Sequence, residues 1–205
     1  MKRLIVIFSA FVLATSLIAL LTACSGIPIR SMPRLAKLLT GELLTINPAE
    51  FKLAIQADSR MVPPVGGVPT LNIAITPKNT GDFEAVDKKI PMQLSVVNGA
   101  YIGLVAAPPG RRWLVYSFHA ASQAELAAIQ TTFKRVKAEN EAKGKKVGGS
   151  LTVGITDENV ATPEPALNNT RWETWLQTTA KDGFYEVWSG TVGDVRAKIK
   201  KPSAS

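Results

Sequence analysis

The pattern of this chain predicts an α+β fold: a mostly antiparallel sheet of about eight strands with hairpins, and one long amphipathic helix packed on it. Three observations lead there. Short alternating apolar runs recur between Phe51 and Val192. Asn98-Gly99 and Asp182-Gly183 stand between such runs as two-residue hairpin signals. A single segment, Ser122 to Ala142, changes to three- and four-residue spacing, which marks a helix.

The elements come in chain order. Ser31 and Pro33 open a brief helix through Leu39, and Gly41 ends it. Asn47-Pro48-Ala49-Glu50 makes one further turn, with Asn47 as cap. Phe51, Leu53, Ile55 and Ala57 then alternate with Lys52, Gln56 and Asp58 as a half-buried strand. Leu71, Ile73 and Ile75 repeat the pattern after a Pro- and Gly-rich loop. Met92, Leu94 and Val96 lead through Asn98-Gly99 into Tyr101 to Val105, a predicted hairpin, because both central turn positions need positive φ. After Pro108-Pro109-Gly110, Leu114, Tyr116 and Phe118 share one strand face, and Trp113, Val115, Ser117 and His119 share the other. These three strands read as a meander.

Ser122-Gln123-Ala124-Glu125 matches a capping box, and Leu126, Ile129, Phe133 and Val136 form the stripe that faces the sheet. Gly144 ends the helix among lysines. Leu151, Val153 and Ile155 alternate again, and Arg171 to Thr179 pairs with Phe184 to Val192 across Asp182-Gly183 as a second two-residue hairpin. Residues 198–205 read as a flexible basic tail.

The first two dozen residues carry an address. Lys2 and Arg3 precede an apolar run from Leu4 to Leu21, and Leu21-Thr22-Ala23-Cys24 places the only cysteine behind a small-residue cleavage site. This stretch resembles a bacterial lipoprotein precursor. The resemblance implies a signal peptide over residues 1–23, a Cys24 that carries lipid (diacylglyceryl, often with a further acyl chain such as palmitate), a lipidated tether over 24–30 and one domain over 31–197. Each buried methylene contributes roughly 0.8 kcal/mol, so two or three chains hold a protein to a membrane where one does not. For lipoproteins that this stretch resembles, a residue other than Asp after the Cys, here Ser25, implies the periplasmic leaflet of the outer membrane in a Gram-negative cell, or the outer face of the plasma membrane in a single-membrane one.

Composition narrows the chemistry. The chain has 24 basic and 16 acidic residues, a formal +8, which losing Lys2 and Arg3 lowers to +6. That balance suits anionic head groups, and nucleic acid is not an expected partner outside the cytoplasm. With Cys24 acylated, no thiol remains for a disulfide, metal site or nucleophile. Neither a metal nor another cofactor is expected. His119 is the only histidine, and no Gly-x-Ser-x-Gly elbow accompanies it, so a hydrolase is the weakest of the function classes. Asp157-Glu158 and the Glu139/Glu141 pair read as a loop terminus and a solvated helix face.

Two surfaces remain as candidates. A two-residue turn at Asp182-Gly183 places Trp175 and Trp188 as diagonal neighbours beside Arg171, Glu173 and Glu186, with Trp172, Thr174 and Leu176 on the opposite face. Trp and Arg are common interface anchors. Lys143, Lys145, Lys146, Arg196, Lys198, Lys200 and Lys201 form candidate contacts to an anionic surface. The sequence therefore reads as an envelope lipoprotein, not an enzyme, that acts by binding as an accessory or scaffold subunit with a protein partner. The alternative is a carrier holding an apolar ligand against Leu126, Ile129 and Phe133.

Overall fold

The computed structural model describes residues 26–95, 100–144, 148–157, 160–161 and 164–199. A 3-10 turn (Ile29–Ser31) leads into α1 (Met32–Leu39), and a second 3-10 turn (Glu42–Leu44) comes after it. Next come β1 (Lys52–Asp58), β2 (Thr70–Pro77), β3 (Val86–Pro91), β4 (Gln93–Leu94) and β5 (Arg111–Ser117). The long helix α2 (Ala120–Ala142) precedes β6 (Gly149–Thr156), a 3-10 turn (Pro165–Leu167), β7 (Arg171–Gln177), β8 (Tyr185–Thr191) and α3 (Val192–Ile199). The fold is α+β, as the patterning predicts, but its eight described strands form two antiparallel sheets, ordered β4-β5-β1-β7-β8 and β3-β2-β6.

The core lies between these sheets. Phe51, Leu53, Ile55 and Ala57 face inward with Leu71, Ile73 and Ile75 of β2, all buried. Removing each of the Phe, Leu and Ile side chains among them from water contributes roughly 1.5–3 kcal/mol. Phe51 stacks on Phe118 with ring centroids 5.3 Å apart. Leu126 and Ile129 of α2 join this core, and Gln130 Nε2 donates to the carbonyls of Leu43 and Ile46 at 2.9 and 3.0 Å. Burial pushes the Tyr116 and Tyr185 phenols up to about 12; Glu42 adds to the rise at Tyr185. No helix among the described residues is long and apolar enough to cross a membrane.

Several local expectations change. Tyr101 to Val105 is a loop and not a strand, while Val86 to Pro91, with only Val86 and Ile90 turned toward the core cluster, supplies a charged edge strand instead. The loop crosses the outer face of the five-stranded sheet, where the Phe184 N–H donates to Ile102 O at 2.8 Å. Gly103 makes the crossing possible at φ +88°, since a Cβ there meets the Phe184 carbonyl oxygen at 2.2 Å. Asn98-Gly99 lies outside the described residues.

The β7–β8 hairpin also departs from its predicted register. Leu176 pairs with Tyr185, so the connection spans 178–184, and Asp182 is hydrogen-bonded to Thr179 instead of forming a two-residue turn. Farther along, Trp175 pairs with Glu186 but Thr174 with Trp188, leaving Val187 as a bulge. Val192 opens α3 and does not end a strand. Thr191 and Asp194 cap that helix reciprocally: Asp194 Oδ2 accepts the Thr191 N–H at 2.9 Å, and Thr191 Oγ1 accepts the Asp194 N–H at 3.1 Å. Helix α2 starts earlier than expected, at Ala120, with His119 as its cap.

Candidate interaction surface

Strands β5, β1 and β7 carry their alternate residues to the outer face of the five-stranded sheet. Register sets Gln56 between Trp113 and Glu173, and Ala54 between Val115 and Trp175. The small Ala54 side chain leaves room above β1, and the two indoles meet edge to face, 5.8 Å between centroids. Both remain half-buried. Trp113 Nε1 donates to Val105 O at 2.8 Å, which holds the crossing loop on the sheet and leaves Ile102 and Val105 exposed at 63% and 76%. Ala54, Val115 and Phe184 form the buried floor of this second cluster, with Tyr101 edge-on to Phe184 at 5.6 Å.

Glu173 is the electrostatic centre of the face. Its carboxylate accepts from Arg111 at 3.1 Å, from Arg171 at 2.6 Å and from Trp175 Nε1 at 3.3 Å. Burial works to raise its pKa, but the hydrogen bond and charge of Arg111, the Trp175 indole and the Arg171 charge together hold it below the usual carboxylate range. Arg111 is itself fixed by the Gln56 carbonyl at 2.9 Å. The result is a rigid patch with aromatic rings beside an ordered guanidinium pair.

Of the residues expected on this face, Trp175, Arg171, Glu173 and Glu186 are present together. Trp188 is not among them. The bulge at Val187 turns it to the inner side, opposite Thr174 and packed on the main core. Trp113 takes its place as the partner of Trp175, joined by Arg111. Alternation along β5 had placed Trp113 on the face away from Leu114 and Tyr116, but which strand lies beside it is not a local property. Glu186 lies at the sheet edge and binds Arg30 at 2.7 Å.

Lys143 is exposed at the end of α2, and Arg196 Nη1 donates to Asn168 Oδ1 at 2.7 Å. Cys24, Lys145, Lys146, Lys200, Lys201 and the Lys198 side chain lie outside the described residues. His119 Nδ1 accepts the Ser122 N–H at 3.2 Å, so the ring proton sits on Nε2, which donates to Ser122 Oγ at 3.0 Å. Ser122 in turn gives its proton to Pro91 O at 2.8 Å. That polarity is the reverse of a serine activated by a histidine base. Asp157, at the loop end that follows β6, is buried and accepts from Thr174 Oγ1 at 2.9 Å and Trp172 Nε1 at 3.3 Å, and Glu158 lies outside the described residues. Among the described residues no group of three or more His, Cys, Asp or Glu is arranged to hold a metal.

Leu126 is packed into the core, but Phe133 lines two adjoining open clefts of about 450 and 410 Å³. Phe83 meets Phe133 edge to face at 6.3 Å between them, with Ile75 and Val136 on both sides and Ile129 in the smaller one. No protein-family model, curated protein or solved structure matches the chain.

Proposed function

We propose that this chain is an exported envelope protein, held by acyl chains on Cys24 in the periplasmic leaflet of the outer membrane, that acts as a binding subunit without chemistry of its own. The leader supports the placement: Lys2 and Arg3, the apolar run to Leu21, then Leu21-Thr22-Ala23-Cys24. The observation that carries the binding role is the Trp113–Trp175 pair, half-buried beside Arg171 and rimmed by exposed Ile102 and Val105. Partly exposed indoles held by their own hydrogen bonds present area at little conformational cost.

Three measurements test it. Intact mass of the mature protein is expected to show a chain beginning at an acylated Cys24, and Cys24→Ser is expected to move the protein out of the membrane fraction. An unmodified Met1, or a Cys24→Ser variant still held in the particulate fraction, removes the anchor. Trp113→Ala with Trp175→Ala is expected to leave a folded protein that no longer co-purifies with its envelope partner; unchanged co-purification removes the role of this face.

A second reading has its own observation. The apolar clefts beside Phe83 and Phe133 fall in the size range of small-ligand sites, which suits a carrier of an acyl chain or similar ligand. Filling the larger cleft with Val136→Trp is expected to abolish uptake of a fluorescent fatty acid. No saturable uptake by the unaltered protein ends that reading.

A further inference from the structure

The first described residues are already part of the body. Gly26 O accepts the Ser189 N–H at 2.7 Å, so the chain is fixed to the β8 edge two residues after Cys24. Two extended residues span at most about 7 Å. If Cys24 carries the anchor, whatever surrounds Gly26 rests on the bilayer surface. The segment after Gly26 suits that position. Ser31 and Leu38 are buried and pin α1 to the fold, while Ile29, Met32 and Leu39 are exposed at 86%, 42% and 47%.

At 100° per residue Met32, Ala36 and Leu39 make one flank of the outward arc of α1, and Arg34 and Lys37 make the other, with Arg30 in the turn that precedes it. No acidic residue occurs from Gly26 to Gly41. Arg30 is held by Glu186, and Arg34 is held over the Tyr185 ring at 5.0 Å, so both stems are oriented by the fold. Apolar residues on one flank, cations on the other and core contacts behind are the design of a helix lying in a membrane interface.

Resting on the lipid-anchored reading, we infer that Ile29–Leu39 lies on the anionic leaflet that holds the anchor, with Met32, Ala36 and Leu39 among the acyl chains and Arg34 and Lys37 on the head groups. The anchor then fixes the orientation of the domain as well as its location.

The test uses the full lipidated protein in vesicles of phosphatidylethanolamine and phosphatidylglycerol, with an environment-sensitive fluorophore on Met32→Cys or Leu39→Cys. The expected result is blue-shifted emission that brominated lipids quench, and loss of both in phosphatidylcholine vesicles. Arg34→Gln with Lys37→Gln is expected to lower the ratio of immersed to lifted molecules about fivefold for each charge removed, while Lys37→Arg retains it. Emission unshifted in anionic vesicles, from protein that resists alkaline extraction, overturns the inference and leaves the anchor standing. Contact between two copies through Met32 in place of lipid quenching also overturns it. Absence of acyl chains on Cys24 overturns both.

Discussion

Buried carboxylates lie against both faces of the five-stranded sheet, Asp157 on the inner side and Glu173 and Glu186 on the outer, and the two sides satisfy them by different means. On the inner face Asp157 accepts from neutral donors, Thr174 Oγ1 and Trp172 Nε1. On the outer face Glu173 also takes an indole N–H, from Trp175, but its main partners are the guanidiniums of Arg111 and Arg171. Arg171 reaches Glu173 from the water side and remains 64% exposed, whereas Arg111 is only 17% exposed and enters the network from within the face. On the inner side Arg112, opposite Ala57, donates to the Met61 carbonyl instead. The inner face therefore derives its stability from area and packing, and the outer face from a polar network that also presents aromatic surface.

The largest break of this contrast is on the inner side. Trp172→Ala empties a fully buried site and removes a donor from Asp157, and is expected to cost about 3–5 kcal/mol in a denaturant titration. On the outer side Glu173→Gln weakens the hold on both guanidiniums and is expected to cost about 1–3 kcal/mol.

The same substitution has a pH signature. The folded-state pKa of Glu173 is lowered, so its contribution is present above the unfolded value near 4.3 and is lost as pH falls through the lower folded value. The stability of Glu173→Gln is accordingly expected to fall less steeply than that of the unaltered protein below about pH 4.3, with equal slopes as the contrary result. The smallest effect is the coupling of Trp113 with Trp175, about 0.5–1.5 kcal/mol in a double-mutant cycle. Zero coupling reduces the pair to two independent contacts and sharpens the view that only Glu173 organises this face.

Parts of this arrangement were legible in the sequence. Alternation along β1, β2, β5 and β6 marked their inward residues, and Trp172, Thr174 and Leu176 were separable from Arg171, Glu173 and Trp175 by parity alone. Local capping chemistry is only partly visible in the pattern. Ser122 and Glu125 resemble a capping box, yet Ser122 bonds Pro91 and Glu125 meets Lys88 at 3.3 Å, while Thr191 and Asp194 form the reciprocal pair. Thr191-Val192-Gly193-Asp194 carried that signal in plain view, masked by an apolar run that read as strand. The error at Trp188 has a different origin: parity fails across a bulge, and one skipped residue, Val187, exchanges the faces.

The sequence by itself determined the α+β class, the inward residues of most strands and the long helix. These arise from period and short-range chemistry, which a linear pattern contains. Tertiary structure alone decided that the strands divide into two sheets, that Trp113 meets Trp175 across Ala54, and that the Tyr101–Val105 segment covers a sheet face instead of pairing. Each of those depends on which strands become neighbours, and that choice is made by the burial of whole faces, not by any residue's local preference.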